Sequence, residues 1–281
     1  SSFMKRVFIS VYVAFLITGF FWFLFQVFTE NILAYWGGVV SAFGGVIYFS
    51  AIYTFYKVPR TPRNLWAFGS IVYAGLVMVL AALYENPIPA HYVALGYAAV
   101  NIFFWDRYVN WYSSYSEVEF VLKEGAKMPS GSLNDLENNK QSVDELLKRK
   151  AVWIFYRGNW CPFCMAQVEE MVNHYKEISE MGTDVIFIGS QSGEKNSALS
   201  NKFNIQAKFL TDRNHTYAKG IGLLDEGGLP LGLEVLGFEK DVYRPAVLVT
   251  DEKGVIRYLD ITDNYRIRPE PQEFLTILKE L

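Results

Sequence analysis

Three stretches of this chain, 7–28, 32–56 and 65–84, each run for 20 residues or more without a formally charged side chain. A helix needs roughly 20 apolar residues to cross a hydrocarbon core of about 30 Å, so each stretch is long enough to span a bilayer. A fourth apolar run, 88–105, is shorter but of the same character. Buried helices of a soluble protein also read this way. Four in succession, separated by very short polar breaks, fit membrane spans better. The first run is also too long for a cleaved signal peptide, and no small-residue cleavage site follows it. The sequence therefore predicts an α-helical transmembrane bundle of about four helices over residues 1–106.

The breaks carry an orientation signal. Lys5 and Arg6 precede the first run and Glu30 follows it; Lys57, Arg60 and Arg63 follow the second, Glu85 the third and Arg107 the fourth. Basic residues thus fall at every second crossing. The cytoplasmic bias of Lys and Arg predicts an integral membrane protein with both termini in the cytoplasm. None of the runs contains Lys, Arg, Asp, Glu or Cys, so no ion or proton path is marked within them. His91 stands alone near a span end and reads as interfacial. Gly37-Gly38 and Gly44-Gly45 read as sites of close helix packing. The expected role of this half is an anchor in a lipid bilayer, with room for a pocket for a lipid-soluble molecule.

Beyond a linker at 107–116, whose Tyr and Trp residues suit a membrane interface, residues 117–281 have the balance of a soluble domain. The net charge is −3, and no basic cluster is dense enough to predict nucleic-acid binding. Residues 151–155 and 184–188 are continuous apolar runs of buried-strand type. Ser142 and Glu145 form a capping-box pattern that opens a short helix. Helical patterns follow at 161–181 and 194–203, and a hairpin at 246–260 turns through Glu252-Lys253-Gly254. A terminal helix occupies 272–281. Alternating strands and helices that end in a hairpin predict an α/β domain with a mixed central sheet.

Both cysteines of the chain fall in Cys161-Pro162-Phe163-Cys164. One such pair makes no disulfide framework. With His91, His174 and His215 scattered, no metal site is expected either. The motif lies where a buried strand passes into a helix. Free N–H groups and the positive dipole end there favour an anion, which predicts a lowered pKa for Cys161 as attacking thiolate. Cys164, one turn on, would then release the mixed disulfide. Trp160 supplies an apolar wall and Pro162 suits the first helical turn. No nicotinamide or flavin motif is present, so no cofactor is expected and electrons would come from a soluble thiol donor.

The segment Tyr156-Arg-Gly-Asn-Trp-Cys-Pro-Phe-Cys164 resembles the active-site segment of peroxiredoxin-like proteins of the alkyl hydroperoxide reductase and thiol-specific antioxidant group. The likeness extends over about 117–281 and includes 125–129, Asp212, Arg244 and the hairpin at 251–254. It implies a thioredoxin fold, a peroxidatic cysteine and an arginine that steers peroxide and stabilises the thiolate. The family pattern is Pro-x-x-x-Thr-x-x-Cys. Aligned without gaps, Arg157 takes the proline position, Cys161 the threonine position and Cys164 the peroxidatic one. Read as the Trp-Cys-Pro-x-Cys of thioredoxins, the same segment makes Cys161 the attacking thiol.

Arg244-Pro245 carries the same double meaning. The thioredoxin reading predicts a cis proline facing the cysteines, and a trans bond counts against it. The peroxiredoxin reading predicts an arginine on the thiolate. Arg266 and Arg268, in a proline-rich loop at 264–271, either hold that loop on the domain, the favoured reading, or pair with acids on a partner. The Gly- and Leu-rich stretch 223–240 is either a lid or a second membrane contact. These features imply a membrane-anchored thiol oxidoreductase that reduces peroxides through Cys161 and Cys164. The alternatives are a protein disulfide reductase and a redox-sensing scaffold with negligible turnover.

Overall fold

The computed structural model describes residues 2–55 and 57–281; Tyr56, at the end of the second predicted run, lies outside them. The chain forms two compact units. One comprises Val7–Lys57 and Thr61–Ser114; the other comprises Ser1–Arg6, Val58–Arg60 and Tyr115–Leu281.

The helical unit is built on α1 (Ser2–Thr29), α2 (Leu33–Ser50), α3 (Trp66–Glu85) and α4 (Pro89–Arg107). Wider π-turns at Ala51–Phe55 and Tyr108–Tyr112 continue α2 and α4. Among the described residues three helices are long and apolar enough to cross a bilayer: Ser2–Thr29, Leu33–Thr54 and Trp66–Glu85. The fourth predicted run is helical too, but α4 is 19 residues long and closes on Asp106 and Arg107.

Helices α2 and α3 approach until their backbones touch. A Cβ on Gly75 would collide with the Ser41 nitrogen and the Gly37 carbonyl oxygen, and one on Gly37 would stand 2.8 Å from the Gly75 carbonyl oxygen. Small residues allow such contact, which is how helices pack without a hydrophobic drive between them. Two polar pairs lie inside the unit. Asn101, fully buried, donates to the Ser41 carbonyl at 2.8 Å, and the buried Tyr48 and Tyr108 hydroxyls meet at 2.7 Å. Phe21, Phe25, Phe28, Val77 and Tyr84 face outward. Large apolar side chains exposed in this number are unusual on a water-soluble bundle.

The second unit is an α/β domain. Its elements are β1 (Ser132–Asn134), β2 (Lys140–Ser142), α5 (Val143–Leu146), β3 (Ala151–Phe155), α6 (Pro162–Glu180), β4 (Asp184–Gly189) and α7 (Gly193–Phe203). They continue with β5 (Lys208–Thr211), α8 (Thr216–Ile221), β6 (Leu224–Asp225), β7 (Val242–Tyr243), β8 (Ala246–Thr250), β9 (Ile256–Ile261) and α9 (Pro271–Glu280). Seven strands form one mixed sheet in the order β2-β1-β5-β4-β3-β8-β9, and β6 pairs with β7 apart from it. The neighbours β3, β4 and β5 run parallel, and β8 is antiparallel to β3 with Phe155 opposite Ala246. Every residue of β3 is buried. That explains its unbroken apolar sequence: a central strand covered on both faces has no polar side to alternate. Trp153 satisfies its buried indole N–H on Thr250 Oγ1 at 2.8 Å.

Two local expectations need correction. Ser142 stands at the N-cap of α5, but its side chain makes no capping hydrogen bond. The sheet also has members the sequence pattern did not announce: β5, four residues long, joins β4 to β1.

Candidate functional site

Strand β3 ends at Phe155, and the chain reaches α6 through a turn that is itself pinned. The Asn159 N–H donates to Gln191 Oε1 at 2.9 Å, and Gln191 Nε2 donates to Asn159 Oδ1 at 2.8 Å and to Asn196 Oδ1 at 2.7 Å. Asn196 Oδ1 also accepts from the Tyr156 hydroxyl. Gly158 leaves room for the half-buried Trp160, since a Cβ there would stand 2.6 Å from the indole nitrogen. Helix α6 then opens with Cys161 at the N-cap, Pro162 in its first turn and Cys164 one turn in.

Both thiols are free and fully buried. The helix start acts on them differently from what their positions predict. Cys161 occupies the N-cap but accepts no capping hydrogen bond from the helix. Cys164 Sγ accepts from the backbone N–H of Arg157 at 3.4 Å and from Arg268 Nη2 at 3.6 Å. Burial pushes the Cys164 thiol up. The hydrogen bond from Cys161, the Arg268 charge, the Arg157 N–H and the Arg157 guanidinium together outweigh burial and bring it down to about 5. Burial raises Cys161 instead, and its hydrogen bond to Cys164 adds to the rise. The expected lowering at Cys161 is thus reversed: the pair holds its negative charge on the sulfur that the donors face.

The cations are fixed by aromatic rings and carbonyls. The Arg157 guanidinium lies over the rings of Trp160 at 4.7 Å and Tyr265 at 4.9 Å, and its Nη2 donates to the Gly228 carbonyl at 2.8 Å. A cation between two ring faces stays charged and oriented after leaving water. Tyr265 also packs edge-on to Phe163 within the motif. Arg268 comes from the loop after β9. There Thr262 Oγ1 donates to the Ile267 carbonyl at 2.9 Å, and the Ile267 N–H donates to the Asn264 carbonyl at 2.9 Å. Arg268 Nη1 donates to the Tyr265 and Ile267 carbonyls. This loop, expected to be held on the domain, is held there. Arg266 and Arg268 are both buried, and Arg268 points at a sulfur.

Arg244 serves another purpose. Its Nε donates to the Thr262 carbonyl at 2.8 Å and its Nη1 to the Ser116 carbonyl at 2.9 Å. Tyr115 and Phe120 flank its guanidinium at 4.8 Å. The described hydrogen bonds of Arg244 reach carbonyls and not a cysteine, so the thiolate-contacting arginine is Arg268. Pro245 is buried at the head of β8, and its carbonyl accepts from the Thr262 N–H at 3.2 Å. No peptide bond among the described residues is cis. Arg244–Pro245 is therefore trans, the outcome that counts against the thioredoxin reading. Of the sequence-derived site residues, the structure gathers Cys161, Cys164 and Trp160 and sets Arg244 to bracing the chain. In the sequence Arg157 is legible only as the residue at the proline position of the family pattern.

A polar cleft of about 850 Å³ lies at the ends of β4 and β5, lined by Ser190, Ser192, Asp212, Asn214 and His215 among others, with neither cysteine in its wall. Among the described residues no cluster of His, Cys, Asp and Glu is arranged to hold a metal ion.

Residues 123–278 match the family described as Redoxin. The chain is 24% identical over 135 residues to a putative peroxiredoxin bcp of Coxiella burnetii, covering 48% of this chain and 85% of that protein. It is 27% identical over 157 residues to the thioredoxin-like protein YneN of Bacillus subtilis, covering 55% and 82%. Over 146 residues it is 25% identical to the thiol-disulfide oxidoreductase ResA of Halalkalibacterium halodurans, covering 51% and 72%. The four N-terminal helices fall outside the matched residues. With the match spanning more than half its length, the chain belongs to the Redoxin family and is a thiol oxidoreductase.

Proposed function

We propose that the protein is a membrane-anchored thiol peroxidase in which Cys164 attacks the peroxide and Cys161 resolves the product. The observation that carries this reading is the pair of hydrogen bonds into Cys164 Sγ, from the Arg157 N–H and from Arg268. They favour a thiolate on that sulfur at neutral pH. The thiolate attacks one peroxide oxygen, the O–O bond breaks, and the departing oxygen leaves as an alcohol or water once protonated. Cys164 is then a sulfenic acid. The Cys161 thiol attacks its sulfur, the S–O bond breaks, and water leaves with the proton from Cys161. The resulting disulfide returns to the dithiol at the expense of a soluble thiol donor, which is itself oxidised.

The raised pKa of Cys161 suits the second step. A protonated Cys161 does not compete for oxidant, and it carries the proton that the departing hydroxide needs. The same feature disfavours Cys161 as first attacker in a disulfide reductase.

The anchor rests on three helices of sufficient length and apolarity and on the outward-facing aromatic and aliphatic side chains with the polar Asn101–Ser41 pair inside. Arg6 and Arg60 belong to the same compact unit as the cysteines. Basic residues at every second break favour a cytoplasmic face for both termini.

Stopped-flow mixing of the reduced protein with hydrogen peroxide tests the reading. Cys161→Ser is expected to form a stable sulfenic acid rapidly, and Cys164→Ser to react no faster than free cysteine. Slow oxidation of the wild-type protein would remove the peroxidase reading and leave disulfide exchange.

A further inference from the structure

Arg60 follows α2 in the chain and precedes α3, outside the residues that match the family. With Val58 and Pro59 it nevertheless belongs to the compact unit that carries the cysteines. Its side chain is 19% exposed and all three of its nitrogens are engaged. Nη1 and Nη2 donate to the two carboxylate oxygens of Glu170 at 2.9 and 2.6 Å. Nε donates to the Arg268 carbonyl at 3.2 Å, and Nη2 also donates to the Pro269 carbonyl at 3.0 Å. The Glu270 carboxylate lies 3.3 Å from Nη1.

These partners belong to two different elements. Glu170 sits on α6, the helix that carries Cys164 in its first turn. Arg268 and Pro269 end the loop that delivers a guanidinium to the Cys164 sulfur. A two-pronged arginine–carboxylate pair fixes direction as well as distance, because the planar fork matches both oxygens at once. The loop secures itself as far as Ile267 through Thr262 and Asn264. Beyond Ile267, Arg60 takes the next two carbonyls.

We infer that Arg60 is a positioning residue for the Cys164 thiolate: by cross-linking Glu170 to the Arg268–Pro269 backbone it holds the Arg268 guanidinium against the sulfur. This role rests on the reading of Cys164 as the nucleophile and is independent of what oxidises it. It also differs from a purely structural clamp. Loosening the loop moves a charge away from a sulfur, which changes how readily that sulfur ionises.

The test uses the full chain, reduced and in lipid nanodiscs, with iodoacetamide alkylation of Cys164 followed by mass spectrometry from pH 4 to 9. Arg60→Gln and Glu170→Gln are each expected to raise the alkylation midpoint by about one pH unit, which lowers the rate at pH 5 about five-fold. The double variant is expected to shift no further than either single one, since both remove the same clamp. Arg257→Gln, which breaks an exposed pair with Asp251, is expected to leave the midpoint in place. Unmoved midpoints in the folded single variants would overturn the role, and so would a double shift equal to the sum of the singles. If Arg60→Gln does not fold, Glu170→Gln decides alone by the same criterion. A wild-type protein inert to peroxide would end the peroxidase reading without touching this result.

Discussion

Arg268 and Cys164 stand 104 residues apart in the chain and 3.6 Å apart in space, guanidinium to sulfur. The helix start is not the only influence on a cysteine there, since burial pushes the Cys161 thiol at the N-cap up.

Replacing Arg268 by Ala is therefore expected to raise the Cys164 pKa from about 5. An opposite charge at this range is worth roughly 1–3 pH units. The pH dependence of iodoacetamide alkylation measures the change. An unaltered profile would assign the acidity to Cys161 and to the N–H and guanidinium of Arg157.

The same depression links the site to stability. A thiol that ionises more readily in the folded state than in the unfolded one stabilises the fold fully above its unfolded pKa. That contribution is lost as pH falls through the folded pKa. The window here runs from about 8.5, the ordinary thiol value, down to about 5. The wild-type protein should exceed Cys164→Ser in chemical-denaturation stability near pH 8, with the gap closing towards pH 5. A gap constant across that range would contradict a thiolate at Cys164.

Arg244 offers the contrasting case. Its guanidinium holds the Ser116 and Thr262 carbonyls, so Arg244→Ala should cost stability while leaving Cys164 acidic. Stranding buried hydrogen-bonding partners costs about 1–3 kcal/mol each. Thermal melting should fall and the alkylation midpoint should stay. A moved midpoint with unchanged melting would restore the arginine to the thiolate.

In the helical unit, Gly75→Val should destabilise far more than Gly96→Val. A Cβ at Gly75 meets the backbone of α2, whereas one at Gly96 meets nothing within 4 Å. Forcing atoms into a packed contact costs about 1–3 kcal/mol, and backbone yields less easily than side chains. Melting of the two variants in detergent compares them directly, and equal losses would mean that α2 and α3 do not pack through these glycines.

Much of this architecture is legible from local pattern. The charge-free runs become helices, and the apolar runs at β3, β4 and β8 become buried strands, because burial on both faces writes itself into consecutive residues. The motif at the β3–α6 junction is legible for the same reason. What escapes is set by pairing across the chain. Lys208–Thr211 carries no pattern of its own and is a strand because β4 and β1 offer it edges. Arg244 reads as a thiolate ligand beside its strand, yet the carbonyls that claim it belong to residues 116 and 262. Arg268 reads as one charge among several in a proline-rich loop, and only the folded loop aims it.

One of the donors to Cys164 is a peptide nitrogen, and that changes what sequence variation can do here. Every amino acid at position 157 supplies this N–H except proline, which has none. Alanine scanning of the motif would leave the bond intact and never reveal it. In the ungapped alignment, position 157 is where the peroxiredoxin pattern carries its proline. On paper the arginine there is a motif lost; in the fold it is a hydrogen gained, pointed at the sulfur.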